Sequence, residues 1–106
     1  MARRSRKSDP GVQRILETLR SEYGTKHARA KIEAYRYNPA SIRVRIVDPD
    51  FRNQGILERE AVVDHILRTL PEDIQADITI LLLLTPEESK ASFGSMEFDD
   101  PTPSRL

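Results

Sequence analysis

Apolar and polar positions change rhythm twice along this chain, and those changes mark out its elements. Val12, Ile15, Leu16 and Leu19 recur at i, i+3, i+4 and i+7, the spacing that places side chains on one face of a helix. Asp9 is a natural N-cap before them, Pro10 suits the first helical position, and Gly24 is a suitable stop. From Ala28 the period drops to two. Ala28, Ala30, Ile32 and Ala34 alternate with Arg29, Lys31, Glu33 and Tyr35, which predicts a strand with one buried face. Asn38-Pro39-Ala40-Ser41 reads as a turn, and the alternation resumes with Ile42, Val44 and Ile46 inward and Arg43 and Arg45 outward. The two strands should therefore form an antiparallel hairpin.

Asp48-Pro49-Asp50 ends the second strand, because proline has no donor for the ladder. The helical rhythm returns over about residues 55–70, with Gly55 and Glu58 placed like a capping box and Ile56, Val63, Leu67 and Leu70 as the core stripe, flanked by Val62 and Ile66. Pro71 ends this helix, and residues 71–75 allow one further helical turn. Ile78 to Leu84 is a short apolar run bounded by turn signals, hence a buried strand, and a helix between two strands of one sheet implies a parallel crossover. Thr85-Pro86-Glu87-Glu88 opens a short last helix. The fold class is α/β (α+β), a two-layer α-β-β-α-(α)-β arrangement with a three-stranded mixed sheet and helices on one face. If Ile78, Ile80, Leu82 and Leu84 face the helices, Leu81 and Leu83 face outward and need cover. Phe93, Met96 and Phe98 lie within reach, so the C-terminal segment is expected to fold over the open face, or else the face is a homodimer interface. The organisation expected is a flexible basic arm (1–8), one domain (9–92) and a C-terminal segment (93–106) that packs partly on the sheet and is otherwise loose.

Composition narrows the chemistry. The 106 residues contain no cysteine, which removes disulfides, thiolate catalysis and thiolate metal sites and suits a reducing, cytoplasmic setting. No apolar run approaches the roughly 20 residues that span a bilayer, so no membrane association is expected. The net charge is zero, yet Arg3, Arg4, Arg6 and Lys7 make the start basic, while Glu87, Glu88, Glu97, Asp99 and Asp100 make the end acidic.

The order of elements and three local matches resemble the BolA family: Ile42-Arg43-Val44-Arg45-Ile46-Val47 running into Phe51, then Leu57-Glu58-Arg59, then Leu84-Thr85-Pro86-Glu87-Glu88. The resemblance spans roughly residues 11–88 and implies a class II KH-like fold. It also implies the family's partnership with monothiol glutaredoxins in iron–sulfur trafficking, and a role in nucleic-acid binding. The family's cluster-ligand histidine follows the glutamate-arginine pair, where this chain has Glu60, and its second ligand comes from the loop between the hairpin strands, here Tyr37-Asn38-Pro39-Ala40-Ser41. With both ligand positions changed, the iron–sulfur role and a glutaredoxin partner are not inherited, no cofactor is expected, and the chain reads as a divergent branch.

Two function classes remain. The first is a non-catalytic protein-interaction or regulatory module, monomeric or weakly dimeric, with an unknown protein partner. The second is a KH-like binder of RNA or single-stranded DNA. The glycines, Gly11, Gly24, Gly55 and Gly94, lack the Gly-x-x-Gly spacing of a KH phosphate loop. A binder would instead use Arg29, Lys31, Arg43 and Arg45 against phosphate, with Tyr35 and Tyr37 stacking bases on the outer hairpin face and the basic arm assisting. No catalytic constellation is apparent. His27 and His65 read as solvated histidines, and Asp48 and Asp50 as turn formers.

Overall fold

The computed structural model describes residues 9–105, so the basic arm at 1–8 lies outside the described residues. Helix α1 (Pro10–Leu19) starts where Asp9 accepts a hydrogen bond from the Val12 N–H at 3.1 Å, and continues into a π-helical turn, Arg20–Gly24. The hairpin consists of β1 (Lys31–Asn38) and β2 (Ser41–Val47), and Pro49–Phe51 forms a 3-10 turn after it. Then come α2 (Ile56–Leu67), α3 (Glu72–Asp77), β3 (Ile78–Leu84), α4 (Pro86–Ala91) and α5 (Phe93–Asp99). The alternation that begins at Ala28 precedes the ladder by three residues, because positions 28 and 29 turn the chain before pairing starts at Lys31.

Strand β2 is central, antiparallel to β1 and parallel to β3, with α2 and α3 forming the crossover. Ile42, Val44 and Ile46 are fully buried against Val12, Ile15 and Leu19 of α1 and Val63 and Leu67 of α2. This is the α+β, mixed three-stranded architecture that the residue spacing predicts.

Strand β3 has the opposite parity to the one expected from simple alternation. Ile42 pairs with Ile78 but Arg43 pairs with Ile80, so an extra residue, Thr79, is accommodated by a bulge. Beyond it, Val44 and Ile46 lie beside Leu81 and Leu83, while Arg45 lies beside Leu82. A one-residue slip moves every following side chain to the other face. Leu81 and Leu83 therefore join the helix-side core, and Leu83 is 4% exposed. Ile80 and Leu82 take the outer face in their place.

Helix α2 also departs from the expected stripe, since Ile56 is 59% exposed. Arg59 is buried instead, donating to the Leu83 carbonyl at 2.9 Å and to Glu88 at 2.6 Å, which ties α2 to β3 and α4. A guanidinium tolerates burial when its donors are matched in this way. Thr85 and Glu88 form the reciprocal cap of α4, with Glu88 N–H donating to Thr85 Oγ1 and Thr85 N–H to Glu88 Oε1. Arg59 and this cap together hold the Glu88 carboxyl down to about 2.

The C-terminal segment adds a helix over Phe93–Asp99, and residues 101–105 after it have no regular secondary structure. Ser92 caps α5 by accepting from the Ser95 N–H at 3.1 Å, and the helix lies against the outer sheet face, opposite α1 and α2.

Candidate functional site

The outer hairpin face carries most of the residues singled out for ligand contact, and α5 lies across it. Tyr35 pairs across the ladder with Arg43, and Glu33 with Arg45. Phe98 is buried with its ring 4.8 Å from that of Tyr35, and the Tyr35 hydroxyl donates to the Phe98 carbonyl at 2.6 Å. Close approach is possible because Gly94 has no side chain, since a Cβ there would sit 3.2 Å from Leu82 Cδ2. Of the three apolar residues expected to cover the sheet, Phe98 alone is buried. Phe93 and Met96 point away, 85% and 51% exposed.

Arg45 lies under this helix. It donates to Glu33 at 2.9 Å, Ser95 Oγ at 2.7 Å and Asp99 at 2.8 Å, with its guanidinium 4.4 Å over the Phe98 ring. Arg43 donates to Glu97 at 3.2 Å and lies 3.6 Å over the Tyr37 ring, while its Nε is buried without a partner. The Tyr37 hydroxyl donates to the Thr102 carbonyl, and the Asn38 amide to Ser104 at 3.0 Å. Arg45 holds the Asp99 carboxyl below its ordinary value. The Thr102 N–H, with Arg43 in second place, does the same for Glu97.

This geometry corrects the expectation of an open nucleic-acid face. Arg43 and Arg45 are neutralised by the acids of α5 and by Glu33, while Phe98 packs on the Tyr35 ring and the Arg43 guanidinium lies over the Tyr37 ring, where bases would stack. Arg29 and Lys31 remain exposed near the start of β1, but Arg29 is paired with Asp50 at 3.0 Å. On the other side of α5, Phe93, Gly94, Met96, Glu97, Asp99 and Asp100 line an open recess of about 790 Å³.

A second cluster lies where the two arms of the hairpin begin and end. Tyr23 is buried, stacked at 4.1 Å on the His27 ring, and its hydroxyl donates to Asp48 Oδ2 at 2.6 Å. Asp48 is fully buried and also accepts from the Asp50 N–H at 2.9 Å. His27 Nδ1 is 2.8 Å from Asp50 Oδ2 and 3.5 Å from Asp48 Oδ2. Burial, reinforced by the Asp48 charge, pushes the Tyr23 hydroxyl well above its usual range, and His27 followed by Arg29 lowers Asp50. His27 is thus paired and half-buried rather than simply solvated, whereas His65 is exposed on α2. The signal for this meeting is available in the hairpin itself: Lys31 pairs with Val47, so residues just before β1 and just after β2 must converge.

The positions that would hold an iron–sulfur cluster do not suit one. Iron–sulfur sites use thiolate or imidazole ligands, and Glu60 is an exposed carboxylate. On the loop side, Tyr37 and Asn38 are tied by hydrogen bonds to the C-terminal segment.

No protein-family model and no curated protein matches the chain by sequence. Solved structures do match. BolA1 from Arabidopsis thaliana superposes with a TM-score of 0.50 at 24% identity, covering 76% of this chain and 98% of that one. A BolA-like protein from Babesia bovis gives 0.51 at 20%, covering 80% and 95%. The BolA domain of SufE1 from Arabidopsis thaliana gives 0.50 at 18%, covering 76% and 98%. At these identities the shared property is the fold. The chain has the fold of BolA proteins.

Proposed function

We propose that this chain, which has the fold of BolA proteins, is a divergent BolA relative acting without catalysis, as a cytoplasmic protein-interaction module whose contact surface is the solvent side of α5. The observation that carries the reading is the pair Phe93 and Met96, one helical turn apart and largely exposed over the recess of about 790 Å³. Large apolar side chains exposed together are a feature of contact surfaces. Glu97, Asp99 and Asp100 on the rim favour a partner segment that is apolar with basic flanks. One structural neighbour, the BolA domain of SufE1, is itself a domain of another protein, which fits a module working through protein contacts. The changed ligand positions argue against a cluster shared with glutaredoxin.

The test compares pull-downs by the intact chain and by a Phe93→Asp/Met96→Asp variant. Both substitutions are on exposed positions, so the fold is kept, which circular dichroism checks. A partner recovered by the intact chain and lost with the variant is the expected result. No recovered partner, or equal recovery by both, would overturn the reading.

A further inference from the structure

We propose that His27, Asp48 and Asp50 form a site for one divalent transition-metal ion of the zinc type. One imidazole nitrogen and two carboxylate oxygens converge from two chain segments, all within 4.8 Å of one another. The two edges from Nδ1, 2.8 Å to Asp50 and 3.5 Å to Asp48, bracket the separation of about 3.0–3.4 Å between neighbouring ligands bound at about 2.1 Å.

Charge balance points the same way. Asp48 is wholly buried, and a buried carboxylate requires a cation or its full set of donors. Arg29 reaches Asp50 Oδ1, not Asp48, and is itself 70% exposed. Two carboxylates therefore share one mobile guanidinium, which leaves room for a bound cation between them. The donors are also held from behind, as metal ligands usually are. Tyr23 donates to Asp48 Oδ2, the Asp50 N–H to Asp48 Oδ1, and Arg29 to Asp50 Oδ1, which leaves Asp50 Oδ2 aimed at the ring nitrogen. Oδ2 of Asp48 keeps a second lone pair beside the Tyr23 bond.

His27 and Asp50 are partly open to solvent, so water would complete the coordination. The imidazole nitrogen favours zinc, cobalt or nickel over calcium or magnesium, which prefer all-oxygen sets. The site lies on the helix-side end of the hairpin and shares no residue with the α5 surface. It would join the segment after α1 to the turn after β2, a structural clip.

The test titrates tag-free full-length chain with Zn²⁺ by calorimetry, and with Co²⁺ by visible absorption, where cobalt bands report nitrogen and oxygen coordination. The expected result is one ion per chain, with affinity reduced more than tenfold by His27→Gln and by Asp50→Asn, and unchanged by His65→Gln. His27 is partly exposed, so His27→Gln retains the fold, and circular dichroism verifies this. No saturable binding, or binding of equal strength in His27→Gln and the intact chain, would overturn the proposal.

Discussion

Replacing Arg45 by methionine keeps an unbranched apolar stem while removing the guanidinium and its charge, and the structure specifies what should follow. Four charge-assisted hydrogen bonds disappear, to Glu33, to the Ser95 hydroxyl and carbonyl, and to Asp99. Glu33 and Asp99 are 30% and 65% exposed, so both carboxylates turn to water, and Ser95 retains Ser89 at 3.0 Å. The methionine also avoids the desolvation cost of burying a guanidinium. The net loss is therefore about 2 kcal/mol, below the 3–5 kcal/mol typical when one charge of a buried pair is stranded. The reverse change, Glu33→Gln with Asp99→Asn, leaves Arg45 buried without a counter-charge and should cost about 3–4 kcal/mol. Urea unfolding at constant m measures both, and the methionine variant should lose roughly 1–2 M in midpoint. A methionine variant less stable than the double acid variant, or two effects within about 0.5 kcal/mol of wild type, would refute the claim that Arg45 anchors α5 electrostatically.

Three further outcomes follow. Leu83→Ala should cost about 2–5 kcal/mol in urea, while Leu57→Ala, at an exposed position, stays within about 0.5 kcal/mol; equal costs would contradict the bulged register of β3. The Glu88 carboxyl lies at about 2 against an ordinary 4.5. Its contribution is full above the ordinary value and is lost as pH falls through the folded one, and because Glu88 is 46% exposed the loss is screened to about 1–2 kcal/mol. Glu88→Gln should flatten that acid limb of stability against pH. Labelled single-stranded RNA at low salt should show no binding that depends on the sheet face, so Tyr37→Ala leaves any signal unchanged and removal of residues 1–8 abolishes it; loss on Tyr37→Ala would place RNA on the hairpin.

What could be read directly from residue spacing was the backbone layout. The change from a helical to an alternating period places the three strands and the crossover, and local chemistry places the caps at Asp9 and Thr85. Side-chain direction proved harder. Alternation carried forward from Ile78 inverts Ile80 through Leu84, because pattern alone does not reveal a bulge at Thr79. Arg59 is invisible as a core residue for a similar reason: its burial depends on Glu88 and the Leu83 carbonyl, 24 or more residues away in sequence. The arginines of β2 look like a solvated ligand face until the acidic helix that neutralises them is placed in space, although the acidic end of the chain was itself in view. The His27 cluster was within reach of hairpin arithmetic, but taken singly each of its members has an ordinary explanation.

The chain's own C-terminal helix, α5, occupies the outer sheet face. Nuclear Overhauser contacts in the intact protein test this placement most directly. Strong cross-peaks are expected between the Tyr35 and Phe98 rings and between Gly94 and the Leu82 methyls, with helical shifts over 93–99. Random-coil shifts there, with those cross-peaks absent, would contradict it.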